Sequence, residues 1–201
     1  MFAQIPPATR YLILANVALY LLQSLLGETA LDTLALWPLG HGFAPWQVLT
    51  YAFLHGGWAH IFFNMFALYM FGGALEQTWG SGRFLLFYFA SVLAAAAAQL
   101  VVTSLTGSIY PTVGASGGIF GVLLGYAMYF PQRRVMLIFP PIPLPAWLFV
   151  TLYGALELFL GVTGTAEGVA HFAHLGGMLG GWLTILSWRG RPGHRLGRDQ
   201  I

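Results

Sequence analysis

Residues 82–104 read GRFLLFYFASVLAAAAAQLVVTS, and between Phe84 and Val102 no side chain carries a charge. The run matches the roughly 20 residues a helix needs to cross about 30 Å of hydrocarbon. Inside lipid every backbone N–H and C=O must find a partner within the chain, so this run is expected to be helical. Five more apolar stretches of similar length lie at 11–27, 58–79, 114–130, 144–161 and 168–188. The fold class is therefore all-α, a polytopic membrane protein built as a six-transmembrane-helix bundle. One membrane domain is expected over 1–201, with its core at 11–188 and a basic cytoplasmic tail at 189–201. No small-residue cleavage motif follows the long first run, which reads as a retained span and not as a signal peptide.

Composition points the same way. Of 201 residues, 58% are hydrophobic and 7% charged, against about 25% charged in a soluble domain. So few charges cannot cover a water-facing surface, and the lipid bilayer is the solvent for most of the chain. The absence of cysteine excludes disulfides, thiolate nucleophiles and cysteine-bound zinc. All eight basic residues are arginines. They sit in short loops or the tail, so they argue for membrane topology and against a nucleic-acid partner.

Those arginines set an orientation. With both termini in the cytoplasm, Arg10, Arg83, Arg133, Arg134, Arg189, Arg191, Arg195 and Arg198 all fall at cytoplasmic ends, and none in the three outer loops. The expectation is a multi-pass protein of a prokaryotic plasma membrane. Its long first outer loop, 28–57, carries Trp37, Trp46 and Tyr51 and suits the membrane interface.

Polar groups inside spans are costly and are functional candidates by default. His60 and Asn64 lie in the second span, Ser116 opens the fourth and His174 lies in the sixth. In this topology all four reach one level below the outer surface, His174 about 9 Å below Gly168 at the helical rise. A serine becomes a nucleophile when a neighbouring neutral histidine takes its proton. His60 and Asn64 share a helix face and can both donate to an oxyanion, as can free N–H groups at Ser116. Glycines recur every fourth residue at Gly117, Gly121 and Gly125, and again at Gly177 and Gly181. Such faces let helix backbones approach closely and can bring serine to histidine.

The stretches HGGWAHIFFN (55–64), GASG (114–117) and AHLGGMLGG (173–181), with Glu76 and the GSGR turn at 80–83, resemble the motifs of rhomboid intramembrane serine proteases. The resemblance covers about 55–188 in order and spacing. It implies a rhomboid-like bundle with a Ser116–His174 dyad lacking a third acid, and an oxyanion hole of His60, Asn64 and backbone amides at Ser116. It also implies single-span membrane-protein substrates, cut near the outer face of the bilayer. No metal or organic cofactor is required. Two positions depart from the common pattern. Gln47 follows Trp46 where many members have arginine, which bears on loop anchoring. Phe120 stands where many have tyrosine, which bears on the orientation of His174.

The same residues admit other readings. Ser116 alone could be a packing residue bonded to a carbonyl one turn back, and His174 alone could join helices. A metal-binding membrane protein using His55, His60, His171 and His174 lacks an accompanying carboxylate and any HExxH pattern. No span contains the aspartates of an aspartyl protease. A non-catalytic rhomboid-like protein that binds membrane segments remains the alternative, and a transporter is formally open. His55 and His171 read as wall residues. Glu76 is expected to cap loop backbone near Arg83, and Glu157, inside the fifth span, needs a partner the sequence does not name.

Overall fold

The computed structural model describes residues 5–137, 140–164 and 170–189. The six apolar stretches become helices. Helix α1 spans Pro7–Leu26, and the first loop holds two short helices, α2 (Glu28–Leu34) and α3 (Gln47–Thr50). The second apolar stretch is α4 (Trp58–Ala67), a π-helical turn at Leu68–Gly72, and α5 (Gly73–Trp79). Then come α6 (Ser81–Thr106), α7 (Ser116–Tyr129), α8 (Ala146–Thr163) and α9 (His171–Arg189). By length and composition, Pro7–Leu26, Trp58–Trp79, Ser81–Thr106 and Ala146–Thr163 can each cross a membrane. The chain is an integral membrane protein of polytopic helical class. A small antiparallel pair, β1 (Arg134–Met136) with β2 (Pro143–Pro145), joins α7 to α8 and was not expected. The expected tail and most of the 162–168 loop lie outside the described residues.

Burial explains the arrangement. Leu25, Leu105, Phe62, Phe159 and Val162 lie largely exposed, which is untenable in water over so wide an area and natural against lipid. Helix α6 supplies the interior face, with Phe84, Phe87, Tyr88, Val92, Ala95 and Ala96 fully buried. Its alanine run has a structural use. A side chain at Gly176 or Gly180 of α9 would collide with Ala98 or Ala94, so small residues on both helices let α9 lie directly on α6. Hydroxyls within these helices mostly bond back to their own carbonyls, as Ser91 does to Phe87 and Thr184 to Gly180, which removes an orphan donor from lipid.

Three polar side chains tie the frame together. Glu76 accepts from the Ala8 and Thr9 N–H groups at 2.8 and 2.7 Å and from the Ser81 hydroxyl at 2.7 Å. Its partner is thus the start of α1, whose first N–H groups have no helical acceptor, together with the GSGR turn. Gln23 donates to the His55 carbonyl and accepts from the His55 N–H, fixing α1 to the segment before α4. Gln47 is buried and anchors the first loop. Its oxygen accepts from the Trp37 and Ala44 N–H groups at 3.1 Å each, and its amide donates to the Thr33 and Gly42 carbonyls. Glutamine, which both donates and accepts, therefore holds this loop without an arginine.

Candidate active site

The segment leading into α7 is pinned from two sides. Leu36 and Thr112 exchange backbone hydrogen bonds of 3.0 and 2.9 Å, and the Gly114 N–H donates to the Tyr51 carbonyl at 2.9 Å. Gly114 has φ +131°, a conformation that L side chains rarely adopt. A Cβ there would also sit 2.8 Å from His60 Nε2 and 3.5 Å from Ser116 Oγ. Glycine thus leaves open the ground between the two groups.

Below Ser116, α7 and α9 meet backbone to backbone. A Cβ at Gly177 would strike the Gly117 carbonyl, and one at Gly181 would lie 3.2 Å from Gly121 Cα. Gly125 belongs elsewhere: its neighbours are Phe87, Leu75 and Trp79 from α6 and α5. Close approach at Gly117, Gly121, Gly177 and Gly181 brings Ser116 Oγ to 2.8 Å from His174 Nε2. Unlike Ser91 and Thr184, Ser116 directs its hydroxyl to another helix.

His174 is held on three sides. Phe120 stacks on its ring at 4.2 Å between centroids and 7° between planes, so phenylalanine supplies the flat face at this position. Nδ1 lies 2.8 Å from Glu157 Oε2, and His171 Nδ1 lies 2.7 Å from the same oxygen. An ionised carboxylate only accepts, so each Nδ1 carries its hydrogen and His174 Nε2 is left to accept the serine proton. The sequence reading of His171 and His174 without an accompanying carboxylate is corrected here by Glu157, which lies against both. His171 is likewise more than a wall residue, because it shares that carboxylate. Glu157, His171 and His174 are the group among the described residues that could hold a metal ion. However, two ligands on one zinc stand about 3.3 Å apart at ordinary bond lengths. The observed 2.7 and 2.8 Å are hydrogen-bond separations.

His60 and Asn64 face the same space from α4. The Gly56 N–H donates to His60 Nδ1 at 3.2 Å, so the neutral ring carries its hydrogen on Nε2, toward Gly114. Buried Asn64 Nδ2 has no hydrogen-bond partner among the described residues, and an unmatched donor of this kind calls for a functional explanation. His60, Asn64, Ser116, His174, Phe120 and Tyr153 all line one cavity of about 450 Å³. His55 stands behind it, its ring centroid 5.1 Å from that of His60. Burial, reinforced by His60 and partly opposed by the Phe53 carbonyl, lowers its pKa to about 4.

Glu157 is the residue that sequence reasoning left without a role. Its signal was a lone acid in an apolar span, which demands compensation. Spacing could not name the partner, because Glu157 and His174 lie on different helices.

Residues 43–190 match the family model described as the rhomboid domain. The chain is 34% identical over 139 residues to rhomboid protease GluP of Bacillus subtilis, covering 68% of this chain and 25% of that protein. It is 30% identical over 186 residues to the putative rhomboid protease YdcA of the same organism, covering 90% and 88%. Rhomboid protease GlpG of Klebsiella pneumoniae is 30% identical over 129 residues, covering 63% of this chain and 45% of that protein. The matched region is thus less than two thirds of GluP and of GlpG, and most of YdcA.

Proposed function

The chain belongs to the rhomboid family, and we propose that it is an intramembrane serine endopeptidase whose reacting pair is Ser116 and His174. The observation that carries this reading is the 2.8 Å contact between Ser116 Oγ and His174 Nε2, in a cavity that also holds the unmatched Asn64 donor. Ser116 Oγ attacks the scissile carbonyl carbon while its proton passes to His174 Nε2. The oxyanion that forms is met by His60 Nε2–H, Asn64 Nδ2–H and N–H groups at the start of α7. His174 then protonates the leaving amine. A water, deprotonated in its turn by His174, releases the acyl group from Ser116.

The proposed substrates are single-span membrane proteins. The six helices cross the bilayer with both termini in the cytoplasm of a prokaryotic cell, and the cavity faces outward. Helix α7 has 14 residues and rises about 21 Å, less than the hydrocarbon thickness of about 30 Å. With its last turn at the cytoplasmic boundary, its first residue, Ser116, starts below the outer one. Phe63 of α4 and Tyr153 of α8 flank the cavity, and a substrate segment passes between these two helices.

The test is cleavage of a transmembrane peptide by purified protein. Ser116→Ala and His174→Ala should each abolish it while leaving the protein folded. The double variant should be no worse than either single, because the pair acts as a unit. Cleavage by folded Ser116→Ala would overturn the reading, and so would binding of the peptide without cleavage by the wild type.

A further inference from the structure

We infer that Glu157 is a positioning residue for His174, selecting the tautomer and ring orientation in which Nε2 can take the serine proton. This rests on the proposed reading of Ser116 and His174 as the reacting pair. Its neighbours on α8, Leu156, Leu158 and Phe159, are about half exposed or more, whereas Glu157 is 4% exposed. The acid is thus turned from the lipid face into the bundle. A carboxylate there is costly unless paired and hydrogen-bonded. Both partners are histidines one turn apart on α9, and both reach it through Nδ1.

The arrangement decides something the rest of the site leaves open. Stacking on Phe120 fixes the plane of the His174 ring but not which edge points at Ser116. A ring turned over in the same plane would meet Phe120 equally well. The bond from Nδ1–H to Glu157 favours one of the two orientations and keeps the hydrogen on Nδ1. Nε2 then faces Ser116 with its lone pair free. When Nε2 receives the serine proton, the ring becomes an imidazolium beside the carboxylate. The Nδ1 hydrogen stays on Nδ1, and Glu157 stays ionised. His171 donates to the same oxygen and so limits the swing of the carboxylate. The other titratable groups lining the cavity with His174 include His60 from α4 and Tyr153 from α8. Tyr153 lies one turn before Glu157.

The experiment compares wild type, Glu157→Gln, Glu157→Asp and Ser116→Ala as full-length protein in detergent, cleaving one transmembrane peptide at neutral pH. Glu157→Gln should lower kcat by about 10²-fold or more with KM little changed, as loss of the orienting carboxylate does in a serine triad. Glu157→Asp should recover part of that loss, with KM again little changed. A Glu157→Gln kcat within about threefold of wild type would overturn the inference, and so would an equal loss of kcat in Glu157→Asp, which marks packing alone. If Glu157→Gln does not fold, histidine-¹⁵N NMR of the wild type decides. His174 should show a protonated Nδ1 and an unprotonated Nε2 at neutral pH, and the opposite tautomer would refute the inference. Persistent cleavage by Ser116→Ala would remove the underlying reading. An inactive Ser116→Ala beside a normal Glu157→Gln would remove only the inference about Glu157.

Discussion

Gly177→Ala is expected to disable the site without touching a polar group. The added methyl carbon would strike the Gly117 carbonyl oxygen and lie 2.7 Å from its carbon and 3.1 Å from Gly117 Cα. Ordinary carbon–carbon contact begins near 3.5 Å, so α7 and α9 must part by roughly 1 Å. All three contacts are backbone, and no side chain can rotate away. Ser116 adjoins Gly117, and His174 lies one turn before Gly177. The same movement therefore stretches their 2.8 Å contact to nearly 4 Å, past hydrogen-bond range. A displacement of that size costs about 10² in rate, and the overpacking costs about 1–3 kcal/mol of stability. The assay is kcat/KM on a transmembrane peptide with thermal unfolding of the same samples. Gly82→Ala serves as the control, since nothing among the described residues lies within 4 Å of its added carbon. A folded Gly177→Ala with kcat/KM within threefold of wild type would refute the claim that this contact sets the site.

Three further outcomes are expected, each read by unfolding in detergent. Glu76→Ala strands the Ala8 and Thr9 N–H groups and should cost about 2–4 kcal/mol; an unchanged midpoint would show that α1 is held by packing alone. Gln47→Ala removes four loop hydrogen bonds and should cost a similar amount, about 2–4 kcal/mol, whereas Trp46→Phe removes one exposed bond and should cost less. His55, lowered from 6.5 to about 4 in the folded state, binds its proton more readily when unfolded. Stability should therefore fall as pH drops from about 6.5 toward 4, by at most about 3 kcal/mol. His55→Gln should flatten that dependence, and an equally steep fall in the variant would assign it to other groups.

What the sequence made legible follows from how lipid constrains a chain. Apolar runs had to become helices, and the expected 58–79 and 82–104 correspond to Trp58–Trp79 and Ser81–Thr106. The helix ends drift by a few residues, because interfacial composition does not mark where a ladder stops. Ser116, His174, His60 and Asn64 could be grouped because depth along a span is countable, and the structure places them around one cavity. Rotation of one helix about another is not countable. That is why Glu157 had no partner on paper, and why the helices against which Gly125 packs could not be named. The Gln47 knot was hidden for a different reason. It closes on four backbone groups between Thr33 and Ala44, and backbone donors and acceptors leave no trace in residue identity. Glu76 shows both sides. Its capping role could be expected, but the Ala8 N–H it accepts from, at the start of α1, lies 68 residues earlier.

The central claim is that Ser116 is a nucleophile made reactive by His174. The most direct measurement is reaction of the purified protein with a serine-directed fluorophosphonate, with the modified residue located by peptide mass. The account requires one adduct per chain, on Ser116, whose rate collapses in folded His174→Ala. An adduct on another serine, or undiminished labelling of Ser116 in the absence of His174, would contradict it.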